Sequence, residues 1–201
     1  CIRDSIEAVY FQTPSCYPGP ENDGERHIEN SADIFRWFIY LFTKVAANWP
    51  ELARAHATTW PATDRFFFNK LKLFAFSKTN VFKADDVANE VSALPQQTWW
   101  NSDLSRELLF LLAGRWHEFS AASRDRLTDR ILAGPDKFSY WSDAEYPIRR
   151  IESAARYGRY LELQGCDLTA ERAERLAEMI KNIPDWSDSW AISTAVSYTN
   201  L

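Results

Sequence analysis

Three stretches of the chain share one punctuation. Asn80 to Pro95 (NVFKADDVANEVSALP), Ser120 to Pro135 (SAASRDRLTDRILAGP) and Thr169 to Pro184 (TAERAERLAEMIKNIP) each open on a capping residue and close on a proline fifteen positions later. In each, branched apolar residues stand eight and four positions before the proline: Val87 and Val91, Leu127 and Ile131, Leu176 and Ile180. Asn, Ser and Thr accept a hydrogen bond from a free N–H in a first helical turn, and proline cannot extend a helix, so a start and a stop are both written in. A spacing of four keeps the two apolar residues on one helical face. A unit that recurs every few tens of residues predicts stacked helical pairs, each hiding its neighbour's apolar flank.

An aromatic connector follows each proline: Trp99 and Trp100, then Phe138, Tyr140 and Trp141, then Trp186 and Trp190. A second helix is predicted from Asn101-Ser102-Asp103, with Leu104, Leu108, Leu111, Leu112 and Phe119 as its inner stripe. Its successor is predicted from Ser142-Asp143, with Pro147 in the first turn, where a missing N–H does no harm. Ala191, Ile192, Ala195 and Val196 predict one more helix near the end. The expected fold is all-α: HEAT-like stacked helical hairpins, an α-solenoid segment. Residues 79–119, 120–168 and 169–201 would be its repeats, one continuous body after N-terminal helices in 1–78.

Within 1–78, Ile2, Ile6, Val9 and Tyr10 read as a short amphipathic helix. Gln12 to Asn30, with three prolines, two glycines and the charged run ENDGERHIEN, reads as a mobile surface loop. Ile34, Phe35, Phe38, Leu41, Phe42 and Val45 are expected on one broad apolar face, ended by Pro50. A helix over about 51–59 and another from near Thr63 and Asp64, greasy nearly all round, complete this part.

Composition narrows the function. Hydrophobic residues at 46% and charged residues at 25% exclude disorder, and six glycines among 201 residues with few alternating runs argue against sheet. A net charge of −5 argues against a nucleic-acid coat over the whole surface. Three cysteines, Cys1, Cys16 and Cys166, show no metal or disulfide spacing and fit a reducing cytoplasm. The most apolar run, FRWFIYLFTKVAANW, is short and interrupted by Arg36 and Lys44, so no membrane partner is expected. The one methionine is Met179, and the chain is expected to be a piece of something larger.

No catalytic motif stands out. His27, His56 and His117 have no metal spacing to one another or to cysteine, and no cofactor is expected. Asp85-Asp86 could pose as a general acid and base, but both fall in an opening helical turn, where negative charge is favoured anyway. The strongest binding candidates are Arg149, Arg156 and Arg159 with the interleaved Tyr160, which could grip phosphate or nucleic acid. Glu145 and Glu152, each four residues before an arginine, favour ion pairs on a solvated face instead. Tryptophans also invite base or sugar stacking, although connector packing accounts for most of them.

The segments RELLFLLAGRW (Arg106 to Trp116), RLTDRILAGP (Arg126 to Pro135) and DRFFFNKLKLFAF (Asp64 to Phe76) resemble the C-terminal helical-repeat region of large bacterial anti-phage defence proteins, which join a sirtuin-like or nucleotide-hydrolysing effector to a long solenoid. The resemblance spans about two-thirds of the chain. It implies a non-catalytic part that senses, scaffolds or oligomerises, since none of the effector motifs is in this sequence. The expected function is a cytoplasmic scaffold or recognition segment for a protein partner or for other domains of a parent chain, with self-assembly open. A nucleic-acid module using the arginine face and a small helical enzyme are the rival readings.

Overall fold

The computed structural model describes residues 15–17, 31–61 and 67–196, and among these every regular element is helical. The helices are α1 (Ser31–Asn48), α2 (Pro50–Thr58), α3 (Phe68–Phe76), α4 (Ala84–Ser92) and the single turn α5 (Gln96–Trp99). They continue as α6 (Ser102–Arg115) with a 3-10 turn (Trp116–Glu118), α7 (Ala121–Ala133), α8 (Tyr146–Leu163), α9 (Ala170–Lys181) and α10 (Asp188–Val196). The segment of Ile2, Ile6, Val9 and Tyr10, most of the loop expected over 12–30, and the start expected at Thr63 and Asp64 lie outside the described residues.

Local chemistry sets most boundaries. Asn101 Oδ1 accepts the Asp103 N–H at 2.8 Å and opens α6, and Ser120 Oγ accepts the Ser123 N–H at 3.3 Å and opens α7. Ser142 and Glu145 bond reciprocally in a capping turn, Ser142 Oγ to Glu145 Oε2 at 2.6 Å and Glu145 N–H to Ser142 Oγ at 3.2 Å, just ahead of α8. The three repeat prolines lie two or three residues beyond the ends of α4, α7 and α9. Gly134 ends α7 with φ +68, and a Cβ there would stand 2.8 Å from the Arg150 carbonyl oxygen.

Two expected caps take other work. Asn80 lies outside α4, which begins at Ala84, and its Nδ2 donates instead to Ala46 O at 2.5 Å. Thr169 holds the cap position of α9, but its hydroxyl accepts from Arg172 Nη1 at 3.1 Å rather than from a backbone N–H.

The helices that carry the repeat punctuation are neighbours: α4 lies along α7 and α7 along α9. Of the second helices, α6 lies along α8, and α10 packs on both α8 and α6. Ser105 Oγ donates to Thr194 O at 2.9 Å and Arg106 Nη1 to Ala195 O at 3.3 Å across the α6–α10 contact. The second helices therefore do not run in single file. α6 is central and covered all round, with Leu104, Leu108, Leu109, Leu111 and Leu112 buried together with Ser105, Arg106 and Glu107. Each such leucine removed from water contributes about 1.5–3 kcal/mol.

A second apolar cluster joins α1, α2 and α3 through Phe35, Phe42, Ala53, Trp60 and Phe74. α3 bridges the two clusters, with Leu71 and Phe74 in this one and Leu73 and Phe76 facing α6. Arg115, buried at the end of α6, donates to Phe76 O at 2.7 Å and Phe82 O at 2.9 Å and pairs with Glu118 at 2.7 Å. It thereby satisfies carbonyls at and after the end of α3 that have no helical partner.

The broad apolar face expected on α1 divides in two. Phe35 and Phe42 face inward, while Ile34 and Leu41 face outward. The expected surface loop also holds an exception: Ser15 and Cys16 are buried, fixed to Glu107 of α6.

Candidate interaction surfaces

The four residues singled out on α8 have different surroundings. Arg149 is exposed near the helix start. Arg156 is half-buried, its guanidinium 5.4 Å from the Trp190 ring centroid, a cation-over-aromatic contact between α8 and α10. Arg159 forms a two-pronged pair with Asp188 at 2.9 and 2.7 Å and a third bond to Glu162 at 3.1 Å. Asp188 and then Glu162 hold its guanidinium above the usual arginine range, and the hydrogen bonds from Arg159 and Trp186 hold Asp188 below the usual carboxylate range. Tyr160 is buried in the core, and burial pushes its hydroxyl up to about 12. The structure thus brings Arg156 and Arg159 together as struts to α10, keeps Tyr160 inside, and leaves Arg149 on the surface.

Asp85 is tied to the neighbouring helix. Its carboxylate accepts from Ser123 Oγ at 2.7 Å, Ser120 Oγ at 2.8 Å and the Ser120 N–H at 3.1 Å. These donors, Ser123 first, hold the carboxyl below its ordinary range. One repeat later Asp125 accepts from Arg172 Nη1 at 3.0 Å. Asp85 and Asp125 are each five residues after the opening residue of their repeat, and Ser123 and Arg172 each three after theirs. The contact from α4 to α7 and that from α7 to α9 therefore use one register. Asp129 adds two bonds to Arg172, both at 2.8 Å, and Asn89 takes Arg126 Nη2 at 2.7 Å in the preceding pair.

His56 and His117 each pair elsewhere, and His27 lies outside the described residues. His56 accepts from Trp60 Nε1 at 3.0 Å, and His117 Nδ1 lies 3.7 Å from Asp167, which also binds Arg124 at 2.9 Å. Cys166 is buried, and burial pushes its thiol up to about 12. Burial likewise raises the thiol of Cys16, with Glu107 adding to the effect. Among the described residues no group of three or more His, Cys, Asp or Glu is placed to hold a metal ion.

Among the described residues, one cavity of about 140 Å³ lies beside Asn69, Gln97 and Asn101, and another of about 220 Å³ lies beside Arg124, Asp125 and Asp167. The charged groups of the second already pair with their neighbours.

Among the described residues, aromatic side chains reach solvent at Tyr140 and along α1. In the connector before α8, Phe138 and Tyr140 stack at 5.4 Å and 10°, with Trp141 edge-on to Phe138 at 4.9 Å. By contrast, Trp99 of the first connector is buried, and Trp100 rests on Tyr157 at 4.7 Å. The other surface is the outer side of α1, where Ile34, Trp37, Tyr40 and Leu41 are between 53% and 71% exposed. Apolar periodicity could have found this second stripe, because positions 34, 37 and 41 recur at helical spacing. Comparison with protein-family models, curated proteins and solved structures finds no significant match for the chain.

Proposed function

We propose that this chain is a non-catalytic, HEAT-like helical-repeat scaffold that presents an interaction surface to a protein partner, as part of a larger cytoplasmic bacterial defence protein. The observation that carries this reading is the shared register of Asp85 on Ser123 and Asp125 on Arg172. Repeated lateral bonds of this kind join helices into a stiff surface, which is what a repeat protein offers its partners. The return of α10 onto α6 would then close one end of the stack.

The test is affinity capture from an extract of the source organism, with the purified chain as bait and Arg149→Glu combined with Tyr140→Ala as the altered bait. The scaffold reading predicts a protein retained at physiological salt by the unaltered chain and released by the alteration. Retention of nucleic acid alone, abolished by nuclease, would replace it with the arginine-face reading.

A further inference from the structure

The outer side of α1 has a composition that the helix stack does not require. At 100° per residue, Ile34, Trp37, Tyr40 and Leu41 span an arc of about 120°, centred roughly opposite the buried Phe35, Phe42 and Ala46. Trp49 and Leu52, just beyond the helix, are exposed as well. Together these six account for most of the large apolar side chains exposed among the described residues, the others being Tyr140, Leu163 and Ile192. Such a concentration is a contact surface rather than scattered exposure.

Charge indicates what the contact is with. The chain carries −5 overall, yet residues 31–61 hold three Lys or Arg and two carboxylates. The exposed charged side chains described on α1 are Arg36 and Lys44, both cationic. Lys44 Nζ stands 5.4 Å from the Tyr40 ring centroid, and Trp37 meets Tyr40 edge-on at 5.9 Å. On the neighbouring helix, Glu51 faces Arg54 at 3.6 Å, and His56 is exposed. Shape argues in the same direction. The stripe is the outer ridge of a helix whose inner side rests on Phe67 and Trp60, and it borders neither of the two cavities.

We infer that α1 lies flat on an anionic lipid bilayer surface. Ile34, Trp37 and Leu41 enter the acyl boundary, Tyr40 sits at the headgroups, and Lys44 meets lipid phosphate. A ridge of this kind needs no complementary groove in its partner, and Trp, Tyr and Lys are the residues that stabilise an interfacial helix. No helix among the described residues is long and apolar enough to cross a membrane, but lying on one requires a single face. This inference is independent of the scaffold reading.

The test is co-sedimentation of the full 201-residue chain with phosphatidylcholine vesicles containing 0 or about 30% phosphatidylglycerol. Binding is expected with the anionic vesicles, at least tenfold weaker with the neutral ones, and weaker still in high salt. Trp37→Ser with Leu41→Ser is expected to abolish binding while helical circular dichroism and the melting midpoint stay unchanged, because neither side chain packs inward. Ile192→Ser, at an exposed apolar residue away from α1, should bind like the unaltered chain. Failure of the folded chain to sediment with anionic vesicles overturns the inference, as does binding indifferent to the double substitution. So does a dimer in light scattering that the same substitution dissociates, since a second copy would then cover the face.

Discussion

Glu107, in the middle of α6, accepts a hydrogen bond at 2.9 Å from the hydroxyl of Ser15, a residue 92 positions earlier in the chain. The same carboxylate oxygen accepts the Cys16 N–H at 3.0 Å, and Arg106 beside it donates to Tyr17 O at 3.0 Å. A buried acid and a buried base thus clamp the Ser15–Tyr17 segment against the central helix. Glu107→Ala would leave those donors unsatisfied and is expected to destabilise the fold by about 3 kcal/mol in urea titration. Ser15→Ala should cost about 1–2 kcal/mol. The local consequence is separable: Cys16, inert to thiol reagents in the unaltered protein, should become modifiable in Glu107→Ala, read by mass mapping.

The α4–α7 contact predicts an acid limb in stability. Asp85, like Asp129 and Asp188, has its carboxyl held below the ordinary range in the folded state. For a depressed folded pKa the stabilisation is complete above the unfolded value, near 4, and is lost as pH falls through the folded value. Melting midpoints should therefore be flat above about pH 5 and decline below about pH 4. Asp85→Asn should show a shallower decline and a lower midpoint at neutral pH. Asp86→Ala should match the unaltered chain throughout.

Gly158 of α8 approaches α9 so closely that a Cβ would come within 2.8 and 3.0 Å of the two Leu176 methyl groups. Leu176 is fully buried, so moving its methyl groups displaces core neighbours. Gly158→Ala should destabilise by about 1–2 kcal/mol, although alanine is the better helix former by about 1 kcal/mol. In a Leu176→Ala background the same change should be neutral or stabilising, and chemical denaturation of the four species gives the sign.

Depth ranks the apolar positions of the repeat. Val91 and Ile131 are fully buried, whereas Ile180 is only half-buried. Val91→Asp and Ile131→Asp should each cost more than about 4 kcal/mol and prevent folding at 37 °C. Ile180→Asp should leave a folded protein with a lowered midpoint in circular dichroism.

Helix existence was legible because capping chemistry and apolar spacing are local. Ser120, Asn101 and Pro147 play the parts their neighbours in sequence require. Orientation was less so. Ile34 and Phe35 are adjacent and equally apolar, and only the packing of α1 on α2 and α3 decides which is inside. Asp85 reads as an ordinary first-turn acid because its partners lie 35 and 38 residues away. The burial of Arg106, Glu107 and Lys70 has no local signal: helical charges usually face water, and here Glu107 and Arg106 bind Ser15 and Tyr17 instead. Of the arginine face, the spacing was readable but not the carboxylates of Asp188 and Glu162 that engage Arg159.

The most direct test of the repeated lateral register is a double-mutant cycle on Asp125 and Arg172, measured by urea denaturation beside a cycle on Asp85 and Ser123. Coupling of the same sign is expected in both, small for the partly exposed Asp125–Arg172 pair. Additive energies in both cycles would mean that α4, α7 and α9 are not joined in one repeating register.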